Sequence, residues 1–154
     1  MAACSEGEVV SDAPVVVDVE SLVGYKISPD DTVTLAVLSG PTTSGSDTTV
    51  CLEIWEPLGA QPPNSHAEST ETFVIVAGEG VAYSDEHERP VSAGTVIVLP
   101  KGSVHRIVNS SATDKMYAIT VMERDGGFED LILRGTPVTL AAEDREVVTR
   151  MPVS

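Results

Sequence analysis

The 154-residue chain sets 24 aspartates and glutamates against nine lysines and arginines, a formal net charge of −15. Such a surface repels phosphate backbones and anionic lipid headgroups, which argues against nucleic acid and membranes as partners. The length suits one domain that buries a core without disulfides or a structural metal. The acidity fits a saline setting and ordinary solubility equally well.

Residues 1–14, MAACSEGEVVSDAP, are small, polar and acidic, and are expected to form a flexible segment ahead of a single domain over 15–154. They show no basic stretch followed by an apolar run, and no window approaches about 18 uninterrupted apolar residues. A cytoplasmic protein is the resulting expectation, with Cys4 and Cys51, which lack CxxC spacing, as free thiols. VVVDVESLVGYKI then offers a first strand with a short helical turn before the Pro29-Asp30-Asp31 turn.

From Thr32 onward come short β-rich runs: TVTLAVLSG, TTVCLEIWE, TFVIVAG, EGVAYS, TVIVLP, HRIVN and KMYAITVME. Turn-forming residues bound each of them, as strand ends require. PTTSGSDTT, residues 41–49, reads as a polar loop. Short strands at this frequency, with no helical repeats between them, predict an all-β sandwich or barrel. TLAAEDREVVTR predicts a terminal helix over about 139–150, acidic early and basic late, packed outside the barrel.

Two stretches carry candidate chemistry. In a strand beginning near Thr70, alternation puts Glu71, Phe73 and Ile75 on one face, so that a carboxylate shares a side with apolar groups. An isolated carboxylate inside a barrel is costly unless it is paired, protonated or bound to a cation. His66, just upstream, can supply an imidazole to the same spot. In GTVIVLPKGSVHRIVN, residues 94–109, a Pro100-Lys101-Gly102 turn precedes a strand in which His105, Ile107 and Asn109 share a face. Two imidazoles and one carboxylate converging in a β cavity can hold a divalent metal on one side and leave other positions open. The alternative is a hydrogen-bonded polar cluster without metal.

The spacing of Gly94, Pro100, Gly102, His105 and Asn109 resembles the second motif of the cupin superfamily in full. The first motif, within 59–80, is reproduced in part: its positions hold Asn64, His66, Glu71 and Gly78, and Asn64 stands where the family more often has a ligand histidine. Residues 79–93 separate the motifs, as in compact single-domain cupins. The resemblance implies a cupin-type jelly-roll β-barrel with His66, Glu71 and His105 as metal ligands. Asn64 is left to ligate through its side-chain oxygen, to hold a metal-bound water or to cap the loop. Fe(II) is the first metal expected, with Mn, Ni or Zn as alternatives.

The expected function is a metal-dependent enzyme acting on a small organic molecule, foremost an oxygen-dependent dioxygenase-type oxidoreductase. The alternatives are a metal-assisted isomerase, epimerase or lyase, and a small-molecule-binding protein without catalysis. Glu53, Tyr83 and Tyr117 are candidate catalytic residues, Glu53 as a general acid or base if it faces inward. Trp55 could line the cavity, and Met122 is expected in the core. Asn109 is read as a hydrogen-bonding residue, His87 as an exposed turn residue, and Arg106 as pointing away from the site. A homodimer is expected, with the outward residues Val74, Val76, Val96 and Val98 covered by a partner or by the terminal helix.

Overall fold

The structure, a computed structural model, describes residues 12–150. Ten strands are formed: β1 (Gly24–Lys26), β2 (Val33–Ser39), β3 (Thr49–Trp55), β4 (Glu71–Ala77), β5 (Glu79–Ser84), β6 (His87–Ser92), β7 (Val96–Leu99), β8 (His105–Asn109), β9 (Met116–Met122) and β10 (Thr136–Val138). Three short helices accompany them, α1 (Pro41–Ser44), α2 (Phe128–Leu133) and α3 (Ala142–Thr149). The strands make a seven-stranded sheet, ordered β10-β1-β2-β3-β9-β4-β7, and a three-stranded sheet, β6-β5-β8. All pairings between them are antiparallel. This is the jelly-roll β-barrel expected from the sequence.

The barrel interior is built by alternation. Phe73 and Ile75 of β4, Ile107 of β8, Trp55 of β3 and Met116, Ala118 and Met122 of β9 pack into one buried cluster, with Trp55 and Phe73 ring centroids 6.2 Å apart. A second cluster lies on the other side of the large sheet, where Ala36, Leu52, Ile54 and Tyr117 meet Leu22, Leu140 and the α3 residues Val147 and Val148. β3 is therefore buried on both faces. On the opposite wing, where no helix lies, Val76, Val96 and Val98 remain exposed.

Gly78 passes the chain from β4 in one sheet to β5 in the other at φ +87°, and a Cβ there would lie 2.8 Å from the Met116 Cα. Only glycine fits both requirements. Each of the seven predicted runs forms a strand. The stretch 15–27, expected to hold a first strand and a short helical turn, holds both with the turn first: a 3₁₀ turn at Val19–Ser21 leads into β1, and the exposed Val15, Val16 and Val17 lie outside any strand. Residues 41–49 are not loop throughout, because Pro41 opens the one-turn α1, which the αL residue Gly45 closes. The buried Glu129 carboxylate accepts from the N–H groups of Thr42 at 2.6 Å and Thr43 at 3.0 Å, tying α1 to α2. Of the two cysteines, Cys4 lies outside the described residues and Cys51 is a buried free thiol.

Asn109 is wholly buried and is a hub. Its Nδ2 donates to the carbonyls of Asp114 at 2.7 Å, Glu56 at 3.0 Å and Trp55 at 3.4 Å, and its Oδ1 accepts from Ser111 N–H at 3.0 Å. Asn109→Ala removes all four of these bonds, with only the Glu56 carbonyl shown to keep another donor, Gly59 N–H at 2.8 Å, and is expected to cost roughly 2–4 kcal/mol, measured by urea denaturation.

Candidate metal centre

Two backbone devices bring the candidate residues together. Gly102, at φ +77°, closes the turn after Pro100, and its N–H donates to the His66 carbonyl at 2.9 Å, so the turn that aims His105 also holds His66. Residues 59–64 run antiparallel along β8. Asn64 and His105 exchange both backbone bonds, at 3.0 and 2.9 Å, Gln61 N–H donates to the Ile107 carbonyl at 3.2 Å, and Asn109 N–H donates to Gly59 at 2.8 Å.

The result places one donor atom each from His66, Glu71 and His105 within 4.8 Å of one another. Glu71 Oε2 lies 2.8 Å from His105 Nε2 and 3.5 Å from His66 Nε2, and the two imidazole centroids are 5.5 Å apart. Burial works to raise the Glu71 pKa, but the His105 and His66 contacts outweigh it and hold the carboxyl below its ordinary value. The Ser103 hydroxyl donates to the Pro100 carbonyl at 2.9 Å, so its oxygen is left to accept from His105 Nδ1, 3.4 Å away. With a cation in place, that tautomer would present the Nε2 lone pair to it; without one, Nε2–H donates to Glu71 Oε2 at 2.8 Å.

A divalent cation fits this set. His66 Nε2 and Asn64 Oδ1 are both buried without a hydrogen-bond partner, and buried polar atoms seldom stay so unless something else binds them. Two imidazoles and a carboxylate suit iron, manganese, nickel or zinc, and the Asn64 oxygen adds a hard donor of the kind that iron and manganese accept.

The other candidates separate cleanly. Glu53 is wholly buried, faces inward, and lines with Glu71 and Asn64 a cavity of ≈ 100 Å³ closed on one side by Val33, Leu35 and Phe128. Burial, and then the Glu71 charge, push its pKa up to about 8, against the smaller opposing effect of hydrogen-bonding neighbours. Tyr83 and Tyr117 do not join the site. Tyr83 pairs with Arg106 across β5 and β8, the guanidinium 5.0 Å from its ring centroid, and both stand on the face opposite His105. Tyr117 lies in the outer cluster, where its hydroxyl donates to Asp144 at 2.8 Å. Trp55 and Met122 are core residues, and His87 is exposed.

Besides Ser103, two further residues escaped the sequence reading. Gln61 donates from Nε2 to Glu53 Oε2 at 2.7 Å. Phe128, the first residue of α2, stands edge-on to His66 at 6.0 Å between centroids and separates the inner cavity from an outer cleft of ≈ 300 Å³. The only signal for Phe128 was an aromatic residue directly after two glycines; for Gln61 there was none.

The Glu53 shift has a measurable consequence. Its folded value, about 8, lies above the ordinary 4.5, so over that interval the folded state retains a proton that the unfolded chain has released. Stability is therefore favoured below pH 4.5 and falls as pH rises from there toward 8. Glu71 opposes nothing in this window, because its lowered value keeps it ionised. Chelator-treated Glu53→Gln is expected to lose much less stability between pH 5 and pH 8 than the parent protein, as read by urea midpoints at the two pH values.

The sequence model of the cupin domain matches residues 51–122, which include both motifs. A protein of Aquifex aeolicus (strain VF5), described only as uncharacterized, is 31% identical over 67 residues, which are 44% of this chain and 55% of that one. The match thus spans about half the length of that curated relative. Among solved structures, a predicted oxalate decarboxylase from Thermotoga maritima superimposes with a TM-score of 0.62 at 21% identity, over 70% of this chain and 97% of that one. An oxalate oxidase in complex with the substrate analogue glycolate gives 0.55 at 22% identity, over 64% of this chain and 54% of that one. At such identities the likeness shows the fold. With the complete second motif and the barrel topology, the matching model identifies residues 51–122 as a cupin domain.

Proposed function

We propose that this protein is a metal-dependent enzyme acting on a small organic molecule, an oxygen-dependent oxidoreductase of the dioxygenase type. The observation that carries the reading is the convergence of His66, Glu71 and His105, with His66 Nε2 unpartnered, next to a cavity that Glu71 shares with Asn64, whose Oδ1 is also unpartnered. When bound, iron at such a set supplies Lewis acidity and redox chemistry with dioxygen. Ser103 orients His105 through Nδ1, Asn64 offers a further oxygen donor, and Val33, Leu35 and Phe128 form the apolar side of the cavity. Neither tyrosine reaches the cavity, so the proton-moving group on this wall is Glu53.

Size limits the substrate. A cavity of ≈ 100 Å³ is far below the ~300–1,000 Å³ that drug-sized ligands occupy, so it takes a molecule of a few heavy atoms. The oxalate oxidase and the predicted oxalate decarboxylase among the structural neighbours support a compact, oxygen-rich substrate class. A second reading, redox-neutral isomerase or lyase chemistry, is favoured by the neutral Glu53 carboxyl in the same cavity.

Metal analysis of freshly purified protein is expected to give one divalent ion per chain, strongly reduced in His105→Ala; a metal-free wild type, or an unchanged variant, would sink the proposal. With Fe(II) loaded, dioxygen consumption on a panel of small hydroxy acids and diketones is the expected activity. Turnover under strict anaerobiosis would instead select the redox-neutral reading. Phe128→Ala joins cavity and cleft, and is expected to shift selectivity toward bulkier members of the panel by about tenfold or more in kcat/KM.

A further inference from the structure

Among the described residues four acidic side chains are buried, and Glu53 is the one whose partners do not account for it. It has no cation within ion-pairing distance among the described residues, and no lysine or arginine lines its cavity. A buried carboxyl in that position costs stability, so packing gives no reason for it between the apolar Cys51 and Trp55 on the same face of β3.

Its orientation is set. Gln61 Oε1 accepts from the Ile107 N–H at 3.2 Å, which fixes the amide so that its NH₂ group faces Glu53 and donates to Oε2 at 2.7 Å. Oε2 is thereby the accepting oxygen of the carboxyl. The carboxyl's other neighbours are neutral, the Cys51 thiol 3.9 Å from Oε1 and the Thr120 hydroxyl, so Oε1 is the oxygen left to carry the proton. The device that turns Gln61 is the backbone of β8, two residues beyond His105, so the acid and the metal ligands share one frame.

Resting on the metal-site reading above, we propose that Glu53 contacts the substrate as the hydrogen-bond donor of the cavity, offering Oε1–H to a carbonyl or carboxylate oxygen of the molecule held at His66, Glu71 and His105, with Gln61 as its positioning residue. The substrate class follows: a compact molecule with two acceptor oxygens, one for the metal and one for Glu53. Where the reaction calls for a proton, the Oε1–H bond breaks and an O–H bond forms on that substrate oxygen. Glu53 is left as a carboxylate held by the Gln61 NH₂ group, to be reprotonated from solvent.

The test uses the full chain loaded with Co(II) and acetate as the probe, followed by Co(II) absorption. The wild type is expected to bind acetate, and Glu53→Gln, which keeps a donor in the same place, to bind within roughly threefold of it. Glu53→Leu is expected to weaken acetate about tenfold or more with Co(II) affinity unchanged. Gln61→Leu weakens acetate in the wild-type background and adds little in Glu53→Leu, a non-additivity that a merely structural role would not produce. Acetate affinity unaffected in Glu53→Leu, or lowered as much in Glu53→Gln as in Glu53→Leu, overturns the proposal, and the near-isosteric glutamine variant keeps it decidable if the leucine variant does not fold. Failure of the wild type to bind Co(II) would instead overturn the metal reading, and this one with it.

Discussion

The short run from Gly59 to Asn64, held along β8 by backbone hydrogen bonds, is the constraint on which the centre depends. It is a loop by its irregularity and a strand by its pairing. Because Asn64 and His105 are bonded backbone to backbone, the partial first motif and the complete second motif cannot drift apart, and His66, two residues on, is delivered to the neighbourhood of His105. Gln61 uses the same strand for its own backbone and its side chain. A metal set made from residues forty positions apart thus has the rigidity of a two-stranded ladder.

The acidic surplus is mostly a surface property, but the few carboxyls taken inside show how burial is compensated differently at each place. Glu71 has two imidazoles beside it. Glu129 receives the N–H groups of α1. Asp144 joins Lys115, Tyr117 and its own helix start, accepting from Ala141 N–H at 2.9 Å. Glu53 has an amide, a thiol and the Thr120 hydroxyl, none of which carries charge. The first three are satisfied as anions; the fourth is satisfied only as an acid.

Strand positions were legible because each run alternates or is bounded by turn residues, and the glycines and proline of the second motif marked where the chain reverses. The inward faces of β4 and β8 could be read because a polar residue falls in step with apolar ones. β3 and β9 could not be read in this way: both of their faces are buried, one in the barrel and one beneath α3, so alternation gives no contrast. Tyr117 therefore looked as suited to the cavity as Glu53. Tyr83 failed for another reason, since only the pairing of β5 with β8 shows that it stands with Arg106. β10 was invisible because three residues carry too little pattern, and β6 because Pro90 sits in an edge strand. Gln61 and Phe128 acquire meaning only from what the fold sets beside them.

The Glu129 contact with Thr42 and Thr43 reaches further than its role in tying two short helices. Phe128 is the residue before Glu129, and Asp125, which accepts from the N–H of Gly127 and of Glu129, also accepts from the Thr49 hydroxyl. The wall between the inner cavity and the outer cleft is therefore hung from the polar stretch 41–49 on the surface of the barrel. Sequence drift in that stretch, far in the chain from any ligand, would retune the aperture of the centre without touching its metal donors, which gives this barrel a way to change substrates while conserving its chemistry.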